Sequence, residues 1–239
     1  MLTAVLFDLD DTLADSTGVH ERVWPAVVQT VALHTPGLQA EAFLLRYDEV
    51  MEEHYTRLLR GEVDFRGFRR NRLAEALAPW GEVGDELFSA YLAVKERVVD
   101  ELRAQHGAVA TLRRLRRTGI RVGVLTNGPG ELQRRKLEVT GLAAELDAVA
   151  ISGEIGAHKP AGEAFAAALE LLGCKAHAAA MVGDSLANDV HGALAHGFAR
   201  VVWFGPPAGA VAELPAEVLR TRRLGEVPRL LGLAAPARA

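Results

Sequence analysis

Apolar positions along this chain follow two different periods, and the order in which they alternate predicts the architecture. Thr3 to Leu9 is a near-continuous apolar run centred on Ala4-Val5-Leu6-Phe7, which reads as a buried strand. From about Val19 to Asp100 no comparable strand follows. Phe43, Leu44, Tyr47, Val50 and Met51 recur at helical spacing. Breaks near Pro36-Gly37, Gly61 and Pro79-Trp80-Gly81 divide this stretch into several predicted helices.

After Gly107 helix and strand alternate regularly. Val109 to Thr118 is predicted helical and Ile120 to Leu125 a strand. Glu131 to Thr140 is a helix with Gly141 as its C-cap. Asp147 to Ile151 is a strand, and Ala161 to Leu172 a helix whose first turn suits Pro160. Ala179 to Val182 is a strand, Leu186 to His196 a helix, and Val201 to Phe204 a strand. The last thirty residues are rich in Pro and Ala, with short helical stretches near Val218 and Leu230. Strands separated by helices mean an α/β fold with a doubly wound parallel sheet. The helical stretch interrupts that core after its first strand. The expected division is therefore a discontinuous core, residues 1–14 and 104–239, around an insert at 15–103. No internal repeat is visible.

Composition narrows the function classes. At 239 residues the chain allows one large domain or a domain with a sizeable insert. A formal charge of −4 argues against a general nucleic-acid binder. The N-terminus lacks a basic segment, and acids interrupt its apolar run by Asp8, so a secretory signal is not expected. No stretch approaches the ~20 apolar residues of a membrane span. A cytoplasmic, reducing location is the expectation. The single cysteine, Cys174, excludes an intrachain disulfide and reads as a small buried apolar residue. Basic residues are mostly arginine; the lysines are Lys95, Lys136, Lys159 and Lys175. Arg113, Arg114, Arg116 and Arg117 read as a solvated helix face, and Arg66, Arg69, Arg70 and Arg72 could be the same.

The chemistry starts where the first strand stops, at Asp8-Leu9-Asp10-Asp11-Thr12. Ligands of parallel α/β sheets bind beyond the carboxyl ends of the strands. Asp8 and Asp10 share one face in extended geometry. Two such carboxylates repel, so one is protonated or both share a cation. The pair can serve as nucleophile, acid/base or Mg²⁺ site, although Asp and Thr after a strand also make turns and helix caps. Other strands lead to polar signals too: Leu125-Thr126-Asn127-Gly128, then His158-Lys159-Pro160, then Val182-Gly183-Asp184-Ser185 with Asp189 beyond. Singly each is a turn, a solvated charge or a cap. In this order, each after a strand, they read as one site.

Those segments resemble the haloacid dehalogenase (HAD) superfamily. The matches are Asp8-Leu9-Asp10-Asp11-Thr12, Thr126-Asn127-Gly128, Lys159-Pro160 and Gly183-Asp184-Ser185-Leu186-Ala187-Asn188-Asp189, covering all four motifs of that family. The resemblance implies a Rossmann-like core with an inserted helical cap domain, and phosphoryl transfer through an aspartyl-phosphate. It implies Asp8 as nucleophile and Asp10 as general acid, then base. Thr126, the Asn127 amide and Gly128 would bind phosphate, and Lys159 would neutralise charge shared by Asp8 and the phosphate. Mg²⁺ would be held by Asp8, the Asp10 carbonyl and Asp184, with Asp189 acting through water.

Asp10 also separates branches of the superfamily, because its dehalogenases lack an acid there. Mutases keep both acids, usually with a Gly-Val pair where this chain has Asp11-Thr12. The stretch from Leu125 to Leu142 resembles the branch of nucleoside monophosphatases and acylneuraminate-9-phosphatases. The implied function is Mg²⁺-dependent hydrolysis of a small soluble phosphorylated metabolite, a nucleoside 5′-monophosphate or sugar phosphate. A monomer or homodimer is expected, with neither nucleic-acid nor membrane partner. Phosphoglycolate phosphatase and phosphosugar mutase are the alternatives within the superfamily. His20, Tyr47, His54, Tyr55 and the Arg66–Arg72 group are candidate selectivity residues of the cap, with surface exposure expected for most. In another class stands a non-catalytic module binding Mg²⁺ and phosphate, which a generic phosphatase assay separates from an enzyme.

Overall fold

The computed structural model of the protein describes residues 1–205 and 214–233. Residues 206–213 and 234–239, part of the Pro/Ala-rich tail, lie outside the described residues. The chain begins with strand β1 (Ala4–Phe7) and continues through helices α1 (Ser16–His34), α2 (Ala40–Glu49), α3 (Met51–Leu59), α4 (Phe65–Leu77) and α5 (Asp85–Asp100). Then come α6 (Ala108–Arg117), β2 (Arg121–Thr126), α7 (Gly130–Val139), β3 (Ala148–Ile151), α8 (Ser152–Ile155), α9 (Gly162–Leu171) and β4 (Ala179–Gly183). A π-helical turn (Leu186–His191), α10 (Gly192–Ala195), β5 (Arg200–Phe204), β6 (Val218–Thr221) and α11 (Val227–Leu230) complete it. Among the described residues, no helix is long and apolar enough to cross a membrane.

Among the described residues, six strands form one parallel sheet in the order β3-β2-β1-β4-β5-β6. The order turns back at β1, and such a reversal opens a crevice at the carboxyl ends of the strands. Phe7 stands opposite both Val124 and Val182, so β4 ends one residue and β2 two residues beyond the level at which β1 stops. Every residue of β1 and β4 is buried, as expected where helices cover both faces. Phe165, Ala168 and Leu169 of α9 pack with Met181, Leu125 and Trp203. Truncating a fully buried ring such as Phe165 to alanine removes about 3–5 kcal/mol. Cys174 is half-buried against this cluster. Two residues of the presumed solvated α6 face are paired: Arg113 with Glu145 at 2.6 Å and Arg116 with Asp147 at 3.0 Å.

Several expectations are corrected. The Val218 region is a strand, not a helix: β6 pairs with β5, Val218 opposite Val201 and Thr221 opposite Phe204. The open edge of β5 supplies a hydrogen-bonding ladder, and the β-branched Val218 and Thr221 suit it. The helix expected over Leu186 to His196 is split into the π-helical turn and α10. Single π-helical turns of this kind re-aim a side chain at a functional position. Pro160 precedes α9 instead of opening it, and the Lys159–Pro160 peptide is cis.

Two compact units result: Met1–Ser16 with Leu102–Ala239, and Thr17–Glu101. The first holds the sheet. In it Ala14 and Ala104 form an antiparallel bridge, Asp15 N–H donates to the Arg103 carbonyl and Gln105 N–H to the Leu13 carbonyl. The second is helical, with its own core of Phe43, Tyr47, Leu73, Phe88 and Tyr91. The Tyr47 and Tyr91 hydroxyls are 2.5 Å apart, and burial pushes both phenols up. The Arg72 guanidinium covers the Tyr47 ring at 3.7 Å and donates to the Tyr47 carbonyl at 2.7 and 2.9 Å. Tyr47, His54 and Arg69 are buried rather than exposed. His54 is held by Glu75 at 2.9 Å, and Arg69 lies over Phe65 at 4.4 Å, where a guanidinium keeps its charge while covering apolar surface.

Candidate active site

Asp8 follows β1 directly. Its N–H donates to the Val182 carbonyl at 2.9 Å, extending the β1–β4 ladder by one residue and fixing the backbone beneath the carboxylate. Lys159 Nζ lies 2.5 Å from Asp8 Oδ1 and 2.6 Å from Asp189 Oδ1, with all three side chains buried. Asn127 pins the lysine. Its side-chain amide donates to the Lys159 carbonyl and accepts from the Lys159 N–H, each at 2.9 Å.

Asp189 comes from the π-helical turn, and its Oδ2 accepts from the Ser185 N–H at 3.0 Å. A Cβ at Gly183 would overlap the Asp189 carboxylate, so only glycine lets β4 end this close to it. Asp184 follows β4. Thr12 Oγ1 donates to its Oδ1 at 3.3 Å, and the Trp203 indole N–H donates to its carbonyl at 2.7 Å.

Carboxylate oxygens of Asp8, Asp184 and Asp189 all lie within 4.8 Å of one another. Against these three carboxyls stands one ammonium, Lys159, so their full ionisation would leave two negative charges uncompensated between the buried Asp8 and Asp189 and the half-buried Asp184. The Asp184 carboxyl is pushed up to about 6 by burial, then by Asp189 and Asp11. Burial, Asp189 and Asp10 also push Asp8 up against the pull of Lys159. Burial alone would lower Lys159, but its two carboxylate partners outweigh that and raise it. A hard dication matches this cluster in charge and in oxygen donors, so the residues fit Mg²⁺.

Asp10 belongs to a second cluster. Lys136 Nζ reaches its two oxygens at 2.7 and 2.8 Å, Gln133 Nε2 donates to Oδ2 at 2.9 Å, and the Ser16 hydroxyl donates to Oδ1. Gln133 Nε2 is also 2.6 Å from Thr126 Oγ1. Burial alone would raise the Asp10 carboxyl; Lys136, Ser16 and Gln133 outweigh it and hold the group at about 2. Gly128 takes a positive φ of 144°, and its N–H is spent on Ser152 Oγ at 2.9 Å.

Asp8, Asp10, Thr126, Asn127, Gly128, Lys159, Asp184 and Asp189 thus lie at the carboxyl ends of the core strands, although the Asn127 side chain and the Gly128 N–H serve neighbouring protein groups, and the candidate selectivity residues His20, Tyr47, His54, Tyr55 and Arg66 to Arg72 belong to the helical unit. Sequence reasoning passed over Lys136, Gln133, Ser16 and Thr12. One signal was present: Gln133 and Lys136 are three apart on the helix after Thr126-Asn127-Gly128, hence on one face. Chemically, the edge sets a buried carboxylate held by an ammonium beside a second carboxylate whose oxygens are taken up by Lys136, Gln133 and Ser16.

The family profile for haloacid dehalogenase-like hydrolases matches residues 2–197. A phosphoserine phosphatase of Thermus thermophilus is 40% identical over 139 residues, 57% of this chain and 54% of that protein, so the match spans about half of the relative. An N-acylneuraminate-9-phosphatase of Rattus norvegicus is 28% identical over 238 residues, covering 95% of this chain and 93% of the relative. The crystal structure of a HAD phosphatase from Thermococcus onnurineus superposes with a TM-score of 0.68 at 29% identity, over 98% of this chain and 100% of that one.

Proposed function

The chain belongs to the haloacid dehalogenase-like hydrolase family, and from that premise we propose that it hydrolyses small phosphomonoesters through an aspartyl-phosphate on Asp8. One observation carries the reading: Lys159 Nζ bridges Asp8 and Asp189 at 2.5 and 2.6 Å inside a carboxylate cluster two charges short of balance. Asp8, Asp184 and Asp189, with the Asp10 carbonyl, would hold Mg²⁺. When bound, the cation offsets the charge of the acids and of the phosphoryl oxygens.

The chain's own groups do the rest. An Asp8 oxygen attacks phosphorus; the O–P bond to Asp8 forms as the ester P–O bond breaks, and the leaving oxygen takes a proton from Asp10. Water then gives a proton to Asp10 and attacks phosphorus. The bond to Asp8 breaks, its carboxylate returns, and inorganic phosphate leaves. Lys159 neutralises the charge on Asp8 throughout. The Thr126 hydroxyl and the Asn127 backbone N–H donate to phosphate oxygens, while Gly128 provides the turn.

The helical unit Thr17–Glu101 is read as the cap that selects the leaving group. Relatives named for phosphoserine and for N-acylneuraminate 9-phosphate support a small soluble metabolite as substrate. Acidic sugar phosphates and nucleoside 5′-monophosphates head the panel to assay.

The test is Asp8→Asn, since an amide cannot form the acyl phosphate. Turnover should fall at least about 10³-fold. Acid quenching with radiolabelled substrate should leave label on the wild-type chain and none on the variant. Near-normal turnover by a folded Asp8→Asn protein would sink the reading.

A further inference from the structure

Every acceptor site of Asp10 is occupied. Oδ1 takes Lys136 at 2.7 Å and the Ser16 hydroxyl; Oδ2 takes Lys136 at 2.8 Å and Gln133 at 2.9 Å. An ionised carboxylate offers about four lone-pair sites, and these contacts fill them. No site remains for a proton or for a leaving-group oxygen. A donor has to withdraw before Asp10 takes part in proton transfer.

Three donors compete for that role, and they are not equally free. Ser16 and Gln133 are buried, and Gln133 is also tied to Thr126. Lys136 keeps 17% of its side chain exposed and carries its charge on a flexible stem. Most basic residues of this chain are arginines, whose planar fork locks onto a carboxylate through two parallel bonds. A lysine pairs as a point charge and changes partner more readily. Lys159 is not available for such an exchange, because it is buried between Asp8 and Asp189.

We propose that Lys136 forms a second anion subsite, so that the preferred substrates are phosphomonoesters whose leaving group carries its own carboxylate or phosphate. That second anion draws Lys136 away from Asp10 and opens a place on its carboxylate for the leaving-group oxygen. The inference rests on the proposed acid/base role of Asp10. It also places the second anion close to phosphorus, because Gln133 touches both Asp10 and Thr126.

A matched pair of substrates tests it. 3-Phosphoglycerate and glycerol 3-phosphate differ only in a carboxylate replacing a hydroxymethyl group. Wild-type kcat/KM should favour the acid by at least about tenfold, and Lys136→Met should shrink that preference to within about threefold. Lys136→Arg, whose fork should stay locked on Asp10, should also lose most of the preference, and thermal melts check that both variants fold. Equal kcat/KM for the two substrates in wild type overturns the subsite without any variant. So does an equal proportional loss on both in Lys136→Met. Calorimetric binding of the same pair in an Asp8→Asn background separates this idea from the reaction itself. If Asp8→Asn still turns over but Lys136→Met loses the binding preference, the covalent mechanism falls and the subsite stands. If label is trapped on Asp8 yet binding shows no preference, the subsite falls and the mechanism stands.

Discussion

Asp8 and Asp10 are chemically identical and two residues apart, yet the fold gives them different partners. Asp8 shares Lys159 with a second buried acid, whereas Asp10 is held by Lys136, by Ser16 and by a Gln133 that also reaches Thr126. A dication beside Asp8 would pull its carboxyl down, and withdrawal of Lys136 would let Asp10 rise. Both changes move the pair towards the ionised Asp8 and protonated Asp10 that the proposed mechanism needs. The low Asp10 value has a consequence for stability. A carboxyl lowered from 3.8 to about 2 stabilises the fold above its unfolded value, and that contribution drains away as pH falls through the folded one. With chelator present, the stability advantage of wild type over Asp10→Asn should shrink by about 1.5 kcal/mol between about pH 6 and about pH 2.5. Urea melts at the two pH values measure it; a constant difference would contradict the Lys136 pairing. Asp8, Asp10, Lys159, Asp184 and Asp189 were legible as a group because each follows a strand in the primary pattern. Lys136 and Gln133 were not, because α7 alone reads as an ordinary amphipathic helix. Their meaning appears only when the end of β2 brings Thr126 beside Asp10.

Among the elements, the parallel core was the easiest to read, since β1 and β4 are short, wholly apolar and bounded by turns. The strand β6 was hidden because four residues, Val218-Leu219-Arg220-Thr221, carry too little periodicity to tell strand from helix. Its identity comes from the edge of β5, its neighbour in the sheet, and not from its own four residues. The π-helical turn was hidden for another reason. Leu186 to His196 has helical spacing, but Asp189 must turn back to Ser185 and Lys159, and that demand widens one turn. The junction of β4 with this turn is tight. Gly183→Ala should displace the Asp189 carboxylate and lower stability by about 1–3 kcal/mol, as overpacking does. It should also weaken Mg²⁺ binding measured by calorimetry. A variant that matches wild type in both stability and metal affinity would show that β4 has room to spare.

Over the whole molecule, the uncompensated charge at the sheet edge should govern thermal behaviour. Mg²⁺ at about 100 times its dissociation constant adds about 2.7 kcal/mol, or about 5–10 °C in Tm for a chain of this length. Asp184 is strained by its neighbours, its carboxyl standing at about 6. An acid raised in the fold opposes folding as the pH rises above its unfolded value of 3.8, and does so fully above about 6. Asp184→Asn should therefore melt above wild type in chelator and below it in Mg²⁺. Scanning calorimetry on both proteins, in both buffers, reads the crossing; parallel shifts would remove Asp184 from the cation's ligands. The division of the chain has a further effect, which comes from the bridge between Ala14 and Ala104. To the sheet-bearing unit, Thr17–Glu101 is a single loop whose ends are already clasped. The entropy of closing a loop grows only with the logarithm of its length, so a twofold change alters it by about 0.6 kcal/mol. Inheritance can lengthen, trim or exchange that loop while the acids keep their register. On the proposed reading of that unit as the selector, such a chain can acquire a new diet without relearning its reaction.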